Sequence, residues 1–146
     1  MQQISFNLLN KKLKRYPHLN ELKSFIKRID KENLKLIMLY GSLAKGSYTQ
    51  NSDIDVLCVY DKHFETMKER FLTSYKYSEG IVQPKTISYR ELEEGLKEGD
   101  SFLHGIFNHG IILFSTIPDE SLHNWIKKGK DRTKFKFYSP ENNKSN

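Results

Sequence analysis

Two short apolar segments and the polar connection between them constrain the fold of this 146-residue chain most strongly. Residues 34–40 (LKLIMLY) and 54–60 (IDVLCVY) are continuous apolar runs, and the second is rich in β-branched residues. Runs of this length and composition are typical of buried strands. The connection, residues 41–53 (GSLAKGSYTQNSD), is polar and rich in Gly and Ser. The sequence therefore predicts two buried strands joined by a polar loop.

The rest of the chain alternates between helical and strand-like patterns. Ser88 and Glu91 fit a capping box, which indicates a helix that ends near Gly99. Pro84 would confine a third strand to an edge or an end of the sheet. Helices are predicted over 4–14, after an N-cap at Asn20, over 61–77, from Ser88, after Asp100 and over 119–129, with further strands over 80–88 and 111–114. This order of elements predicts an α/β chain.

Length and composition predict one domain of ordinary size. We expect this domain over residues 1–126, with N-terminal helices over 1–33 and a core over 34–115, followed by a basic, partly disordered tail over 127–146. Cys58 is the only cysteine, which excludes a disulfide framework or a cysteine-rich zinc site. No run is apolar enough for a membrane span or a secretory signal, so we expect a cytoplasmic protein.

The net charge of +6 is distributed unevenly along the chain. Residues 1–35 carry nine Lys or Arg and three Asp or Glu, residues 36–126 carry eight and thirteen, and residues 127–146 carry seven and two. A uniformly basic nucleic-acid-binding protein would not have this acidic centre. The charges agree with ordinary solvated surface, or with metal-binding carboxylates in the centre and an anionic partner at the ends.

The connection between the two apolar runs, with the start of the second run, carries the residues that could bind a ligand or take part in a reaction. Gly41 and Ser42 follow the first strand in a turn that would open a helix, where free backbone N–H groups attract phosphate. Asp53 and Asp55, at the start of the next strand, are two residues apart and therefore face the same side. Two adjacent carboxylates repel unless a cation lies between them, and their hard oxygens suit Mg²⁺. This combination suits phosphoryl or nucleotidyl transfer.

Two further polar residues of the connection have both a functional and a structural interpretation. Lys45 could contact a phosphate, although a lysine at an exposed helix is the commoner arrangement. Ser52 could donate to a phosphate, although local capping of the turn is the commoner role of a serine there.

The segment Gly41-Ser42, Ala44, Gly46 and Ser52-Asp53-Ile54-Asp55 resembles the signature of the DNA polymerase β nucleotidyltransferase superfamily. It is most similar to the small prokaryotic minimal nucleotidyltransferases. The resemblance implies a small mixed β-sheet flanked by helices. It also implies ATP or another nucleoside triphosphate held at Gly41 and Ser42, and two Mg²⁺ ions bound by Asp53 and Asp55.

Active members of this superfamily typically carry a third carboxylate on a later strand, which acts as general base and metal ligand. Here the corresponding position is Gln83, whose amide cannot take a proton. Glu79, just before that strand, is a possible substitute at an unfavourable spacing. The resemblance also implies a helical HEPN-domain partner, since small members of this kind act as antitoxins and some transfer AMP to a tyrosine of that partner.

Three functional hypotheses remain open from the sequence. The first is a Mg²⁺-dependent transfer of AMP from ATP to a protein side chain or another small acceptor. The second is an antitoxin-like or regulatory binding module that retains the fold and has lost turnover because of Gln83. The third and weakest, based on the basic ends of the chain, is an RNA-binding protein whose affinity falls steeply with salt.

Overall fold

The computed structural model describes residues 6–138, and the side chains as far as Thr133. Its elements follow one another in the order α1 (Phe6–Lys12), α2 (Leu19–Arg28), β1 (Leu34–Tyr40), α3 (Ser42–Lys45), β2 (Ile54–Tyr60), α4 (Met67–Tyr75), β3 (Val82–Ser88), α5 (Tyr89–Glu98), α6 (Ser101–His109), β4 (Ile111–Ser115) and α7 (Asp119–Tyr138). No helix within the described range is both long and apolar enough to cross a membrane.

The four strands form one mixed sheet in the order β3-β2-β1-β4. Strand β1 pairs antiparallel with both β2 and β4, whereas β2 pairs parallel with β3. The two apolar runs are thus the central strands, which explains why almost all of their residues are buried. Pro84 lies in β3 at an edge of the sheet, as the sequence predicts, since proline cannot donate to a second neighbour. The expected small mixed sheet flanked by helices is confirmed.

Each face of the sheet is covered by a separate apolar cluster. One cluster contains Leu22, Phe25 and Ile26 of α2 together with Ile37 and Val56 of the central strands. The other packs residues of α5, α6 and α7 against the opposite face of β1 and β2 (Leu36, Met38, Leu57, Val59, Leu92, Leu96, Leu103, Ile106 and Leu122). Because both faces are covered, the polar residues that end β1 and begin β2 are left at one end of the sheet.

Several boundaries differ from those expected. The predicted N-cap at Asn20 is wrong, because α2 begins at Leu19 and His18 occupies the cap position without a side-chain hydrogen bond. Helix α4 is shorter than the predicted helix over 61–77. Helix α7 extends beyond the predicted end at 129 and includes the first part of the basic tail, while residues 139–146 lie outside the described range.

Other expectations are confirmed in detail. The side chain of Ser88 accepts a hydrogen bond from the backbone N–H of Glu91, and the Glu91 carboxylate accepts one from the Ser88 N–H. This is the predicted capping box of α5. Asp100 caps α6 by accepting a hydrogen bond from the backbone N–H of Leu103 at 2.9 Å. These local signals fix where the two helices that cover one face of the sheet begin.

Candidate active site

The turn after β1 depends on a glycine. Gly41 has φ 73° and ψ −154°, in a region that residues with a Cβ rarely adopt. A Cβ at this position would overlap Oδ2 of Asp55 and lie 3.3 Å from its Cγ. The absence of a side chain therefore lets the Asp55 carboxylate lie directly against the backbone of the turn.

Helix α3, a single turn over Ser42–Lys45, follows this glycine. Leu43 and Ala44 are buried in the core and anchor the turn to the sheet. Ser42 is half-buried and Lys45 is exposed, and neither side chain bonds to any part of the chain that the structure describes. The first N–H groups of such a turn have no helical acceptor. Ser42 and Lys45 therefore present polar groups without partners in the described chain on the turn whose first residue, Gly41, lies against Asp55.

The loop that follows α3 is held by its own polar groups and by the N-terminal part of the chain. The Ser52 hydroxyl accepts a hydrogen bond from the backbone N–H of Thr49 at 2.9 Å. The Tyr16 hydroxyl donates to the backbone oxygen of Ser52, and its ring contacts those of His18 and Tyr48 edge to face, each at 5.6 Å between centroids. The observed bond of the Ser52 side chain is the local turn cap that was one of its two predicted roles.

Tyr16 is a residue of the site that the sequence did not reveal. It is only 4% exposed, and its pKa is raised by burial and then by the negative charge of Asp53. The residue lies 36 positions before its hydrogen-bond acceptor Ser52. No local pattern joins two positions so far apart, so sequence reasoning had no signal with which to find it.

Asp53 immediately precedes β2 and Asp55 is the second residue of that strand, and the charge of Asp53 acts on Asp55. Asp55 is half-buried and Asp53 is exposed. Burial raises the pKa of Asp55, and the charge of Asp53 raises it further. Neither carboxylate forms an ion pair or a hydrogen bond with the side chains that the structure describes, which end at Thr133. Burial and the Asp55 charge also raise the pKa of Tyr40, at the end of β1, to about 12.

This pair fits a divalent cation. The carboxylates provide hard oxygen ligands, and burial together with the charge of Asp53 raises the pKa of Asp55, an unfavourable situation for a carboxylate that a bound cation would relieve. Within the described residues, no three His, Cys, Asp or Glu side chains are grouped as a complete metal site. The two aspartates would hold Mg²⁺ only together with oxygens from a bound ligand or from water, as is common for this ion.

Strand β3 places Gln83 next to the aspartates. Gln83 pairs with Asp55 in the parallel register of β2 and β3, so both residues occupy the same face of the sheet. The Gln83 amide donates to the backbone oxygen of Gly80 at 2.6 Å. Glu79 forms an ion pair with Arg28 of α2 at 3.1 Å and joins no metal-binding cluster with the aspartates. The side chain of β3 that pairs with Asp55 in the strand register is therefore an amide.

Two cavities lie near the motif, and Tyr40 lines both. The first, of about 500 Å³, lies between β3 and α4 and includes Asp55 and Gln83. The second, of about 410 Å³, lies between the turn and α6 and includes Gly41 and Lys45. A third cavity, of about 470 Å³, begins after the other end of β2 and contains none of the motif residues.

The comparisons with known proteins concern mainly the residues from α2 to α6. The pattern that defines the nucleotidyltransferase domain matches residues 19–106, which is more than half of the chain. A protein of Methanocaldococcus jannaschii named "Putative protein adenylyltransferase MJ0604" is 33% identical over 81 residues, covering 56% of this chain and 79% of that protein. A second protein of that organism, "Putative protein adenylyltransferase MJ1379", is 32% identical over 69 residues, covering 44% of this chain and 69% of its own length.

Two solved structures share the fold. One is titled as a nucleotidyltransferase from Sulfolobus solfataricus, with a TM-score of 0.53, 17% identity, and coverage of 74% of this chain and 86% of that chain. The other is titled as a toxin-antitoxin with AMP-PNP, with a TM-score of 0.52, 18% identity, and coverage of 79% and 86% respectively. At these identities the likeness concerns the fold alone.

Proposed function

The chain belongs to the nucleotidyltransferase domain family, and on that premise we propose that it transfers AMP from ATP to a hydroxyl group of a protein. The observation that carries this proposal is the pair Asp53 and Asp55, which lies without any cationic partner in the described chain against the Gly41 turn. The names of the two relatives from Methanocaldococcus jannaschii, both protein adenylyltransferases, support a protein as the acceptor.

The proposed reaction forms a bond between the acceptor oxygen and the α-phosphorus of ATP. The bond from that phosphorus to its bridging oxygen breaks, pyrophosphate leaves, and the hydroxyl proton passes to solvent. Two Mg²⁺ ions, when bound, would neutralise the triphosphate and lower the pKa of the attacking hydroxyl. The residues that would hold them are Asp53 and Asp55.

The remaining motif residues would position the nucleotide. The N–H groups at Ser42 and the ammonium of Lys45 would bind phosphate oxygens, because Ser42 follows Gly41 and Lys45 lines the same cavity as Gly41. Ser52 would contribute mainly by holding the loop, through its bond with Thr49, and its hydroxyl hydrogen would remain available to a phosphate. The Gly41 backbone would keep the phosphates and the carboxylates adjacent.

The acceptor would enter from the β3 side. Tyr40 lines both the cavity that contains Asp55 and Gln83 and the cavity at the Gly41 turn, so an acceptor hydroxyl and a nucleotide could occupy neighbouring cavities. The resemblance to minimal nucleotidyltransferases and the neighbour titled as a toxin-antitoxin with AMP-PNP support a HEPN-type toxin as this acceptor. Such a reaction would take place in the cytoplasm.

A second candidate function rests on Gln83. A carboxylate at this position would accept the hydroxyl proton, whereas an amide cannot. A chain that binds ATP and its partner without transferring AMP would be an antitoxin or regulatory module that acts by binding alone. The RNA-binding alternative would require affinity that follows the Lys and Arg residues of the tail and does not depend on Mg²⁺.

The test is a transfer assay with labelled ATP, Mg²⁺ and a purified HEPN-domain protein. Stable label on the HEPN protein, absent when Asp53→Asn/Asp55→Asn replaces the wild type, is the expected result. Lys130→Gln, which removes an exposed charge far from the motif in sequence, is the matched control and should retain transfer. Mg²⁺-dependent ATP binding without any labelled product would instead establish the binding module.

A further inference from the structure

Helix α6 presents one side to the cavity at the Gly41 turn. The residues of α6 that line this cavity are Ser101, Phe102, Gly105, Ile106, Asn108 and His109. They recur at helical spacing, so they form one continuous face of the helix. The same cavity contains Gly41 and Lys45. A ligand whose phosphates lie at the turn would therefore have the rest of its body against α6.

A glycine leaves open space in the middle of this face. A Cβ built at Gly105 would meet no heavy atom within 4 Å, so no packing requirement excludes a side chain there. Glycine also weakens a helix interior relative to alanine. Neither the packing nor the stability of α6 explains this residue, whereas a flat group that lies over the helix would need the space.

The aromatic ring of Phe102 and the amide of Asn108 line the same cavity as Gly105. Phe102 is 43% exposed, and its ring is held edge to face by Tyr40 at 5.8 Å and by the ammonium of Lys85 at 5.0 Å. The Asn108 amide is exposed and makes no hydrogen bond to any part of the chain that the structure describes. One amide can donate and accept together, which matches the adjacent donor and acceptor on an edge of adenine.

We infer that this face of α6 is the site of the nucleobase and that it selects adenine. The base lies over Gly105, packs against the exposed part of Phe102, and forms a pair of hydrogen bonds with the amide of Asn108. This inference rests on the proposed function, because it assumes that a nucleotide binds with its phosphates at Gly41 and Lys45. It adds residues that determine which nucleotide is used.

The experiment compares two probes, ATP and inorganic tripolyphosphate, each titrated calorimetrically with Mg²⁺ into the full chain. Gly105→Leu fills the space over the helix and should weaken ATP binding about tenfold or more, since stacking of a base on an aromatic ring contributes that much. Tripolyphosphate has no base and should bind Gly105→Leu as it binds the wild type. Asn124→Leu, which adds the same side chain at an exposed position of α7 that lines neither cavity, should change neither affinity.

The outcomes separate this inference from the proposed function. If the wild type and Gly105→Leu bind ATP equally well, the nucleobase site is wrong and the nucleotidyltransferase proposal stands. If the wild type binds neither ATP nor tripolyphosphate, both are overturned. A thermal unfolding midpoint for each variant controls for folding, and Gly105→Ala should raise that midpoint because alanine favours a helix.

A second variant tests the choice of base without filling the cavity. Asn108→Asp replaces the amide with a group that only accepts hydrogen bonds, and its exposed position leaves the fold undisturbed. The ratio of ATP to GTP affinity should fall about tenfold, since a carboxylate loses one bond to adenine and suits the donors of guanine. An unchanged ratio would overturn the assignment of Asn108.

Discussion

The β1–β2 half of the site and its β3 edge differ in the polar groups that they provide. In the first half, a single loop and the strand ends beside it hold a glycine with a positive φ, together with a lysine and two carboxylates that have no partner among the described residues. At the β3 edge, the position next to Asp55 holds the amide of Gln83. On the proposed function, nucleotide binding and turnover would therefore depend on separate strands, so that one could be retained while the other is altered.

Restoring a carboxylate on β3 should have the largest effect and would sharpen this comparison. Gln83→Glu places a proton acceptor beside Asp55, and general-base catalysis typically contributes about a hundredfold to a rate. We expect the rate of AMP transfer in the labelled-ATP assay to rise by about that factor, with little change in ATP affinity. Gln83→Asn, which keeps an amide, is the control. Equal rates for wild type and Gln83→Glu would show that turnover does not depend on this position.

Gly41→Ala should disrupt the β1–β2 half of the site. The added methyl group would overlap the Asp55 carboxylate, and the alanine would have to adopt a positive φ. Both the stability of the fold and the geometry of the site should therefore be affected. We expect the free energy of unfolding to fall by about 2 kcal/mol, which is the usual effect of such backbone strain. ATP affinity should fall as well. Gly46→Ala serves as a comparison, since it shares the positive φ and has no atom within 4 Å of its Cβ. ATP affinity lost equally in both variants would contradict the role of the Gly41–Asp55 contact.

Removing one hydroxyl should have a smaller effect on the same half. Tyr16→Phe deletes the hydrogen bond to the backbone oxygen of Ser52 while keeping the buried ring. The free energy of unfolding should fall by about 1 kcal/mol, measured by urea denaturation. The loop that carries Asp53 would lose a support, so ATP affinity should decrease modestly. A variant as stable as the wild type would mean that this contact does not hold the loop.

The local features of the molecule could be read from the sequence, and the long-range ones could not. Strands β1 and β2, the capping box at Ser88 and the edge position of Pro84 follow from neighbouring residues. The contact of Tyr16 with the loop and the cavity at Phe102 depend on how distant segments pack. The spacing of the aspartates and the resemblance to a known family pointed to Asp53, Asp55 and Gln83. The strand register then shows that Gln83 lies beside Asp55.

The smallest expected effect is a change in the stability of the fold at low pH, and it involves Glu91 of α5. Burial raises the pKa of Glu91, but hydrogen bonds from the Ser88 N–H and from Arg70 lower it by more, so its net pKa is below the usual range. A lowered pKa means that the carboxylate stabilises the fold above its unfolded pKa and that this contribution is lost as pH falls below about 4.

Glu91→Gln should therefore flatten the acid end of the stability curve, while it changes the unfolding free energy at pH 7 by less than about 1 kcal/mol, because the ion pair with Arg70 is partly exposed to solvent. Chemical denaturation between pH 3 and pH 7 gives both quantities. Parallel stability curves for variant and wild type would contradict the assigned pKa direction.

The central claim is that the Gly41 turn and the two aspartates form a nucleotide site, and calorimetric titration of ATP with and without Mg²⁺ tests it most directly. The wild type should bind ATP only when Mg²⁺ is present, and Asp53→Ala/Asp55→Ala should lose that binding while remaining folded. Binding that is absent in the wild type, or that survives in the double variant, would contradict the claim.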